Sequence, residues 1–259
     1  MDTLIWGAIA SLLAGLGTGL GALPVLLPTH PSERTEGVLL GIGGGVMLAA
    51  TSFSLIVPGT EAAIALGYPR AIAAMIIVIG VLLGGGLLWV IHDRFPHEHF
   101  FKGQEGPKAE NLKRIWLFVA AITLHNFPEG LAVGVSFGSG STSSAIVLAL
   151  GIAIQNMPEG LVVAWSLRNL EYSALYALGI STLTGLVEPL GGIVGAGIVG
   201  IAQEALPWGM AFAAGAMLFV IVDEIIPEIS QKSQGQRGTL GLMLGFVTMM
   251  FLDIALGQA

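Results

Sequence analysis

Eight long apolar runs dominate this chain of 259 residues and limit what it can fold into. Each run has about 20 residues or more, enough for a helix to cross a hydrocarbon core about 30 Å thick. Only 10% of the residues are charged, against about 25% in an ordinary soluble domain. The sequence therefore predicts an all-α membrane protein, a single domain over residues 1–259. Its eight transmembrane helices, called spans one to eight, lie near 3–27, 37–57, 70–91, 115–137, 143–167, 173–200, 207–229 and 238–257.

The basic residues predict the orientation of the eight spans. Arg70 falls on one side of the membrane, and all the other basic residues fall in connections on the opposite side. Cytoplasmic loops carry the excess of Lys and Arg, so the side opposite Arg70 is predicted to be cytoplasmic and both termini to lie outside. The residues that give this result are Arg34, Arg94, Lys102, Lys108, Lys113, Arg114, Arg168, Lys232 and Arg237.

The longest connection, residues 92–114 between spans three and four, is polar and is predicted to be a mobile cytoplasmic loop. Its Gly, Pro and Lys content is typical of segments that cannot bury enough apolar surface to order themselves. It contains His92, Asp93, His97, Glu98 and His99. These side chains are either places where an ion is taken up or sensed, or ordinary solvated loop residues.

Composition also excludes several function classes. The chain has no cysteine, so any bound metal is held by nitrogen, oxygen or a methionine thioether. The sequence contains no basic run that would indicate a nucleic-acid partner and no phosphate-binding loop that would indicate an ATP-driven pump. The predicted partners are therefore the lipid bilayer and divalent metal ions, and glycine-rich helix faces permit a homodimer.

One polar phrase occurs twice, in spans four and five. His-Asn-Phe-Pro-Glu-Gly-Leu begins at His125, and Gln-Asn-Met-Pro-Glu-Gly-Leu begins at Gln155. In each phrase the first residue and the glutamate, Glu129 or Glu159, are four positions apart and share one helix face. The Asn at 126 or 156 lies three before the glutamate and can share that face.

The depth of these residues predicts a metal site rather than a solvated one. His125 and Gln155 lie roughly 15–18 Å into their spans, near the middle of the bilayer. Glu188 in span six and Met47 in span two reach a similar depth. A carboxylate that faces lipid there costs roughly 2.5–3.5 kcal/mol, and these spans hold no Lys or Arg to pair with one. A divalent cation neutralises the carboxylates and also uses the imidazole and amide groups.

Three other interpretations compete with a metal carrier. The paired phrases can act as hydrogen-bonded glue between two helices. A metal-gated channel would place the same polar residues at the same depth. A metal-dependent membrane enzyme is disfavoured, because the zincin string His-Glu-x-x-His and the Glu-x-x-His pairs of di-iron bundles are absent from the sequence.

The two phrases resemble the signature of the ZIP (Zrt-, Irt-like) family of metal transporters, and the chain is most similar to its compact bacterial members. The resemblance covers the whole chain and implies uptake of divalent metal into the cytoplasm. Zinc is the first expectation, with cadmium, iron(II) and manganese as further candidates. It also implies a bacterial inner (plasma) membrane location and a two-metal site. The implied ligands of the first metal are Met47, His125, Glu129, Gln155 and Glu159, and those of the second are Asn126, Glu129, Asn156, Glu159 and Glu188.

The chain departs from the family pattern at two positions. Gln155 stands where many members have His, and Asn156 where an acidic residue is common. The second site therefore carries less negative charge, and the first is predicted to be the transport site. The resemblance further implies an inverted repeat of spans one to three and six to eight around spans four and five. The phrases that begin at Gly45 and Gly215, Gly-Val-Met-Leu and Gly-Ala-Met-Leu, agree with it.

Acidic and histidine residues at both ends of the spans mark a candidate route for the ion. Glu61 and Asp253 lie towards the outside, together with Glu204. The candidates towards the cytoplasm are His92, Asp93, Asp223 and Glu224. Transport is expected to proceed by alternating access, in which spans four and five move against the more apolar spans.

Overall fold

The computed structural model of the protein describes residues 2–27, 32–94, 97–99, 103–105, 114–139, 141–169, 171–230 and 235–256. Its membrane part is helical, as predicted. A short antiparallel hairpin lies in the connection between spans three and four, where β1 (His97–His99) pairs with β2 (Gly103–Glu105). Strand β1 packs beside span four, so part of this predicted loop is ordered against the bundle.

The predicted spans correspond to the helices of the structure. In chain order these are α1 (Asp2–Ala22), α2 (Glu33–Ala49), α3 (Val57–Ala65), α4 (Arg70–Arg94), α5 (Arg114–Ser136), α6 (Thr142–Asn169), α7 (Ala174–Gly185), α8 (Glu188–Ile201), α9 (Leu206–Val220), α10 (Ile226–Ser230) and α11 (Gly235–Leu256). Spans two, six and seven each join two of them (α2 and α3, α7 and α8, α9 and α10), and the others are single helices. Among the described residues, all spans except the fourth form segments long and apolar enough to cross a membrane by length and composition. The fourth, a continuous helix of 23 residues with the first polar phrase, completes the set.

Span two is longer than predicted, because the helix does not end before Pro58. A π-helical turn at Ala50–Ile56 precedes this proline, and α3 then continues to Ala65. The wider turn accommodates a residue that has no N–H and would otherwise break the helix. The hydroxyls of Thr51 and Ser52 donate to the carbonyls of Met47 and Leu48 at 2.7 and 2.9 Å. Span seven has the same arrangement, with a π turn at Ile221–Ile225 before its own proline.

Span six is interrupted where the sequence predicted a continuous helix. Helix α7 ends at Gly185, and α8 begins at Glu188 after a two-residue turn. The break places the N-terminus of α8 halfway along the span, with Glu188 in its first turn. Carboxylates are favoured at this position, because the free N–H groups and the helix dipole are positive there.

Close helix contacts confirm the predicted inverted repeat. At each contact a glycine of one span touches a backbone carbonyl of another, so that an added β-carbon would collide with the carbonyl oxygen. Gly15 and Gly185 contact each other's carbonyls where spans one and six meet. The other contacts form equivalent pairs: Gly160 on Thr18 and Gly130 on Glu188; Gly21 on Met157 and Gly191 on Phe127; Gly45 on Leu242 and Gly215 on Val81; Gly245 on Ile42 and Gly84 on Phe212.

These contacts divide the helices into two groups. Spans one, four, five and six pack tightly on one another and contain both polar phrases; we call them the motif bundle. Spans two and eight form one tight pair and spans three and seven the equivalent pair; together we call them the frame bundle. The two bundles meet mainly where span two contacts span five and where span seven contacts span four. Both polar phrases therefore lie beside the boundary between the bundles.

Candidate metal site

The polar phrases of spans four and five face one another inside the motif bundle. Helices α5 and α6 both continue through their prolines, Pro128 and Pro158, so each phrase stays on one regular helix. Asn126, Glu129 and Gln155 are fully buried. The Gln155 side-chain amide donates a hydrogen bond to Oε1 of Glu129 and links the two phrases directly.

A second polar contact joins spans one, five and six. Nδ2 of Asn156 donates to Oε1 of Glu188 at 2.5 Å and to the carbonyl oxygen of Ala14 at 2.9 Å. The same carboxylate oxygen of Glu188 lies close to span one, only 3.4 Å from the position that a β-carbon on Gly15 would occupy. The short residues of span one thus allow a fully buried carboxylate to reach the amide on span five.

Several buried polar atoms of the phrases have no hydrogen-bond partner among the residues that the structure describes. They are both amide atoms of Asn126, Oε1 of Gln155 and Oδ1 of Asn156. An unpaired buried amide costs free energy, and a site that binds a cation supplies the missing partner. The oxygens of Gln155, Asn156 and Asn126 are therefore suitable neutral ligands beside the glutamates.

The remaining predicted ligands lie on the same helices or next to them. Glu159 is 3% exposed on span five, one turn after Gln155, and Met47 is fully buried on span two just before its π turn. His125 lies on α5 one turn before Glu129, but its side chain is outside the described part of the structure. The described side chains contain no group of three or more His, Asp or Glu residues close enough to hold a metal. What the structure shows is two carboxylate–amide pairs, with Glu159 one turn from Gln155.

The candidate route residues are found at the ends of the bundles. Asp253 on span eight accepts a hydrogen bond of 2.7 Å from the Ser54 hydroxyl on span two. Glu61 is exposed near the C-terminal end of span two, and Asp93 is exposed at the end of α4. Asp223 is half-buried in the π turn of span seven. His92 and Glu224 lie on helices, with side chains outside the described part.

Sequence reasoning missed several groups that contact the candidate site and route residues. Ser54 as the partner of Asp253, the Ala14 carbonyl as the partner of Asn156, and the buried Thr18 beside Gly160 were not predicted. No local pattern distinguishes these residues from ordinary residues of an apolar helix. Within the described part of the chain the hydroxyl of Thr18 has no hydrogen-bond partner, and the residue is 1% exposed. The repeat could have identified this residue, because Thr18 occupies the position equivalent to Glu188.

Comparisons with known proteins give a consistent result. A family model described as ZIP zinc transporter matches residues 92–253. The chain is 48% identical over 251 residues to the zinc transporter GufA of Myxococcus xanthus, an alignment that covers 97% of this chain and 99% of that protein. It is 45% identical over 240 residues to the zinc transporter ZIPB of Bordetella bronchiseptica, covering 93% and 78%. It is 33% identical over 321 residues to the human zinc transporter ZIP11, covering 93% and 94%.

Proposed function

Because this chain belongs to the ZIP zinc transporter family, we propose that it carries divalent transition-metal ions, zinc first, across the membrane towards the cytoplasm. The observation that carries the proposal is the buried set of carboxylates and amides at the meeting of spans one, four, five and six. Three glutamates there are at most 3% exposed, and unsatisfied amide oxygens lie beside them. Such a set is costly in a membrane unless a cation neutralises it.

The proposed transport site is the first of the two ligand sets. Met47, His125, Glu129, Gln155 and Glu159 supply one thioether, one imidazole, two carboxylates and one amide. Imidazole and carboxylate ligands suit zinc, while cadmium, iron(II) and manganese fit the same oxygen and nitrogen donors with different geometry. The direct contact of Gln155 with Glu129 supports the set, since these two ligands already meet across the helix boundary.

The proposed second set consists of Asn126, Glu129, Asn156, Glu159 and Glu188, with the two phrase glutamates shared between the sets. Asn156 points its Nδ2 at Glu188 and at a backbone carbonyl. This N–H group partly neutralises Glu188 before any metal arrives, so a metal at this set competes with an existing hydrogen bond. We therefore assign the second set the role of a weaker neighbouring site.

Alternating access requires that the motif bundle move against the frame bundle, and the packing supports this division. In one half of the repeat, a β-carbon on Gly43 of span two would lie 3.6 Å from the carbonyl oxygen of Gln155 on span five. In the other half, the equivalent boundary lies between spans seven and four. There a β-carbon on Gly209 would lie 3.1 Å from the Val135 side chain.

The two boundaries have different registers. If the packing of span seven on span four repeated that of span two on span five, Gly209 would lie level with Glu129 on span four. It faces Val135 instead, which lies about six residues nearer the outer end, a difference of about 9 Å at 1.5 Å per residue. The motif bundle is therefore displaced towards the cytoplasmic side of the frame. Exchange of the two registers would carry the site outwards by about this distance and open it to the other face.

The proposed function is tested by metal uptake into liposomes. Purified protein is reconstituted with a zinc-sensitive dye inside, and wild type is compared with His125→Ala and Glu129→Ala under an imposed zinc gradient. We expect saturable uptake by wild type and loss of uptake in both variants. Size-exclusion profiles control for folding. Absence of uptake by wild type for zinc, cadmium and iron(II) would refute the proposal, and a linear, non-saturating current would favour a channel.

A further inference from the structure

We propose that Met217 on span seven supplies a thioether ligand to the carried metal when the motif bundle is displaced outwards. This is the counterpart of the role that Met47 on span two has in the present arrangement. The inference rests on the proposed function and extends it to the opposite state of the transporter. It names a soft ligand on the outer half of the route, where the ion is first selected.

Met47 and Met217 occupy equivalent positions of the inverted repeat. Each follows a glycine, Gly45 or Gly215, that packs on a backbone carbonyl of the partner helix in the frame bundle. Each also precedes a π turn, Ala50–Ile56 or Ile221–Ile225. Both side chains are fully buried. The surroundings that orient Met47 are thus repeated, upside down, around Met217.

The two methionines lie at different depths, because spans two and seven run in opposite directions. The spans meet near their outer ends, where a β-carbon on Gly59 would lie 3.2 Å from Cβ of Met210. From this contact Met47 is about twelve residues towards the cytoplasm and Met217 about seven. At 1.5 Å per residue, Met217 lies about 8 Å nearer the outside.

This difference in depth matches the displacement inferred for the motif bundle. The registers of the two boundaries differ by about 9 Å, so an outward shift of the bundle moves the ligand set by nearly the distance between the two methionines. The set then leaves Met47 and arrives level with Met217. A metal that exchanges one thioether for the other keeps the same kind of donor on both sides of the membrane.

Most buried methionines only fill space, so Met217 has to be distinguished from its neighbours. Met210 lies two turns earlier on the same helix and packs against Gly59, and Met249 on span eight packs against Gly151. Neither has a methionine at the equivalent position of the other half. Both are fully buried, which makes Met210 a matched control. Thioether sulfur is a soft ligand and favours cadmium over zinc.

Two measurements test the inference. The first compares uptake of cadmium and zinc from the outer side by Met217→Leu and Met210→Leu, because leucine fills nearly the same volume without sulfur. We expect Met217→Leu to raise the KM for cadmium about 10-fold and that for zinc by less than about 3-fold, as loss of a soft ligand predicts. Met210→Leu should leave the ratio of the KM for cadmium to the KM for zinc unchanged.

The second measurement does not depend on transport. The chain has no cysteine, so Met217→Cys and Met210→Cys each introduce a single thiol. We expect cadmium added from outside to protect the thiol at 217, and not that at 210, from a membrane-permeant thiol reagent. An unchanged cadmium-to-zinc ratio together with no protection at 217, in a protein whose wild type transports zinc, would overturn the inference alone. Failure of wild type to transport would instead refute the proposed function.

Discussion

The phrases of spans four and five form two regions that share a backbone frame but differ in chemistry. Each lies on a helix that continues through a proline, and each packs a glycine, Gly130 or Gly160, on the carbonyl of a neighbouring span. The first residues differ, however, since His125 is replaced by Gln155 in the second phrase. The repeat thus supplies matching positions, and the side chains decide what each position does.

The asparagines show the difference most clearly. Asn156 donates to Glu188 and to the Ala14 carbonyl, whereas the described structure gives Asn126 no hydrogen-bond partner. The position equivalent to Glu188 in the other half is Thr18, whose shorter side chain also has no partner in the described ranges. The amide nitrogen of Asn156 is therefore engaged by a carboxylate and a carbonyl, whereas its oxygen and both amide atoms of Asn126 have no hydrogen-bond partner among the described residues.

The symmetric backbone frame therefore holds two phrases with different side-chain chemistry. A metal between two identical phrases would bind both spans equally and would have two equivalent positions. Here the imidazole belongs to span four, together with an amide that has no described partner on either atom, while the amide nitrogens of Gln155 and Asn156 on span five donate to carboxylates. We expect the side chains of span four to contribute more to metal affinity than those of span five.

We expect the largest loss of zinc uptake from changes at Glu129 and Glu159, which occupy matching positions in the two phrases. Glu129→Gln and Glu159→Gln keep the side-chain shape and remove one charge, and each glutamate belongs to both proposed ligand sets. We expect each variant to lower the initial rate of zinc uptake into liposomes by about 100-fold or more, beyond the 10–100-fold typical of outer-shell changes. A Glu159→Gln variant with near wild-type uptake would show that span five is not part of the transport site.

An exchange of the first residues tests whether span four owes its dominance to the imidazole. His125→Gln should weaken apparent zinc affinity by about 10- to 100-fold, because an amide is a poorer zinc ligand than imidazole. Gln155→His should strengthen it, and the double exchange should recover much of the lost affinity. All three variants are compared with wild type by their KM for zinc uptake. If His125→Gln and wild type had the same KM for zinc, the imidazole would not be a zinc ligand.

Glu188, which belongs only to the proposed weaker second set, should affect transport least. Glu188→Thr copies the residue found at the equivalent position in span one, and Glu188→Gln is the control that keeps an acceptor for Asn156. We expect zinc uptake to fall no more than about 3-fold in either variant, below the 10–100-fold loss typical when the hydrogen-bond partner of a metal ligand is changed. A loss as large as that of Glu129→Gln would instead make the second set essential for transport.

Much of this architecture could be predicted from the sequence, because its signals are local. Apolar length gave eight spans that correspond to the helices, although span two continues to Ala65 and span six is interrupted after Gly185. The repeated phrase identified the buried amides and carboxylates of spans four and five. Local signals also misled at two prolines. Pro58 was expected to end span two, but the π turn before it absorbs the missing N–H. Pro189 instead follows a real break in the helix, after Gly185.

The partners inside the site could not be predicted, since they come from distant parts of the chain. Asn156 bonds to Ala14 on span one and to Glu188 on span six, and the choice depends on which helices pack together. That packing is set by glycines whose role appears only when the carbonyl opposite them is known. The chain contains 38 glycines, so their presence alone does not identify the contacts.

The difference in register between the two boundaries has an electrical consequence. The proposed shift of about 9 Å would carry the site across about a third of a 30 Å hydrocarbon core. When the three glutamates are ionised, the empty site moves three negative charges through that part of the field. At 100 mV, inside negative, this is worth about 2 kcal/mol in favour of the outward position. A bound divalent ion cancels two of the charges, so the resting voltage would return the empty carrier to the outside and oppose the loaded one much less.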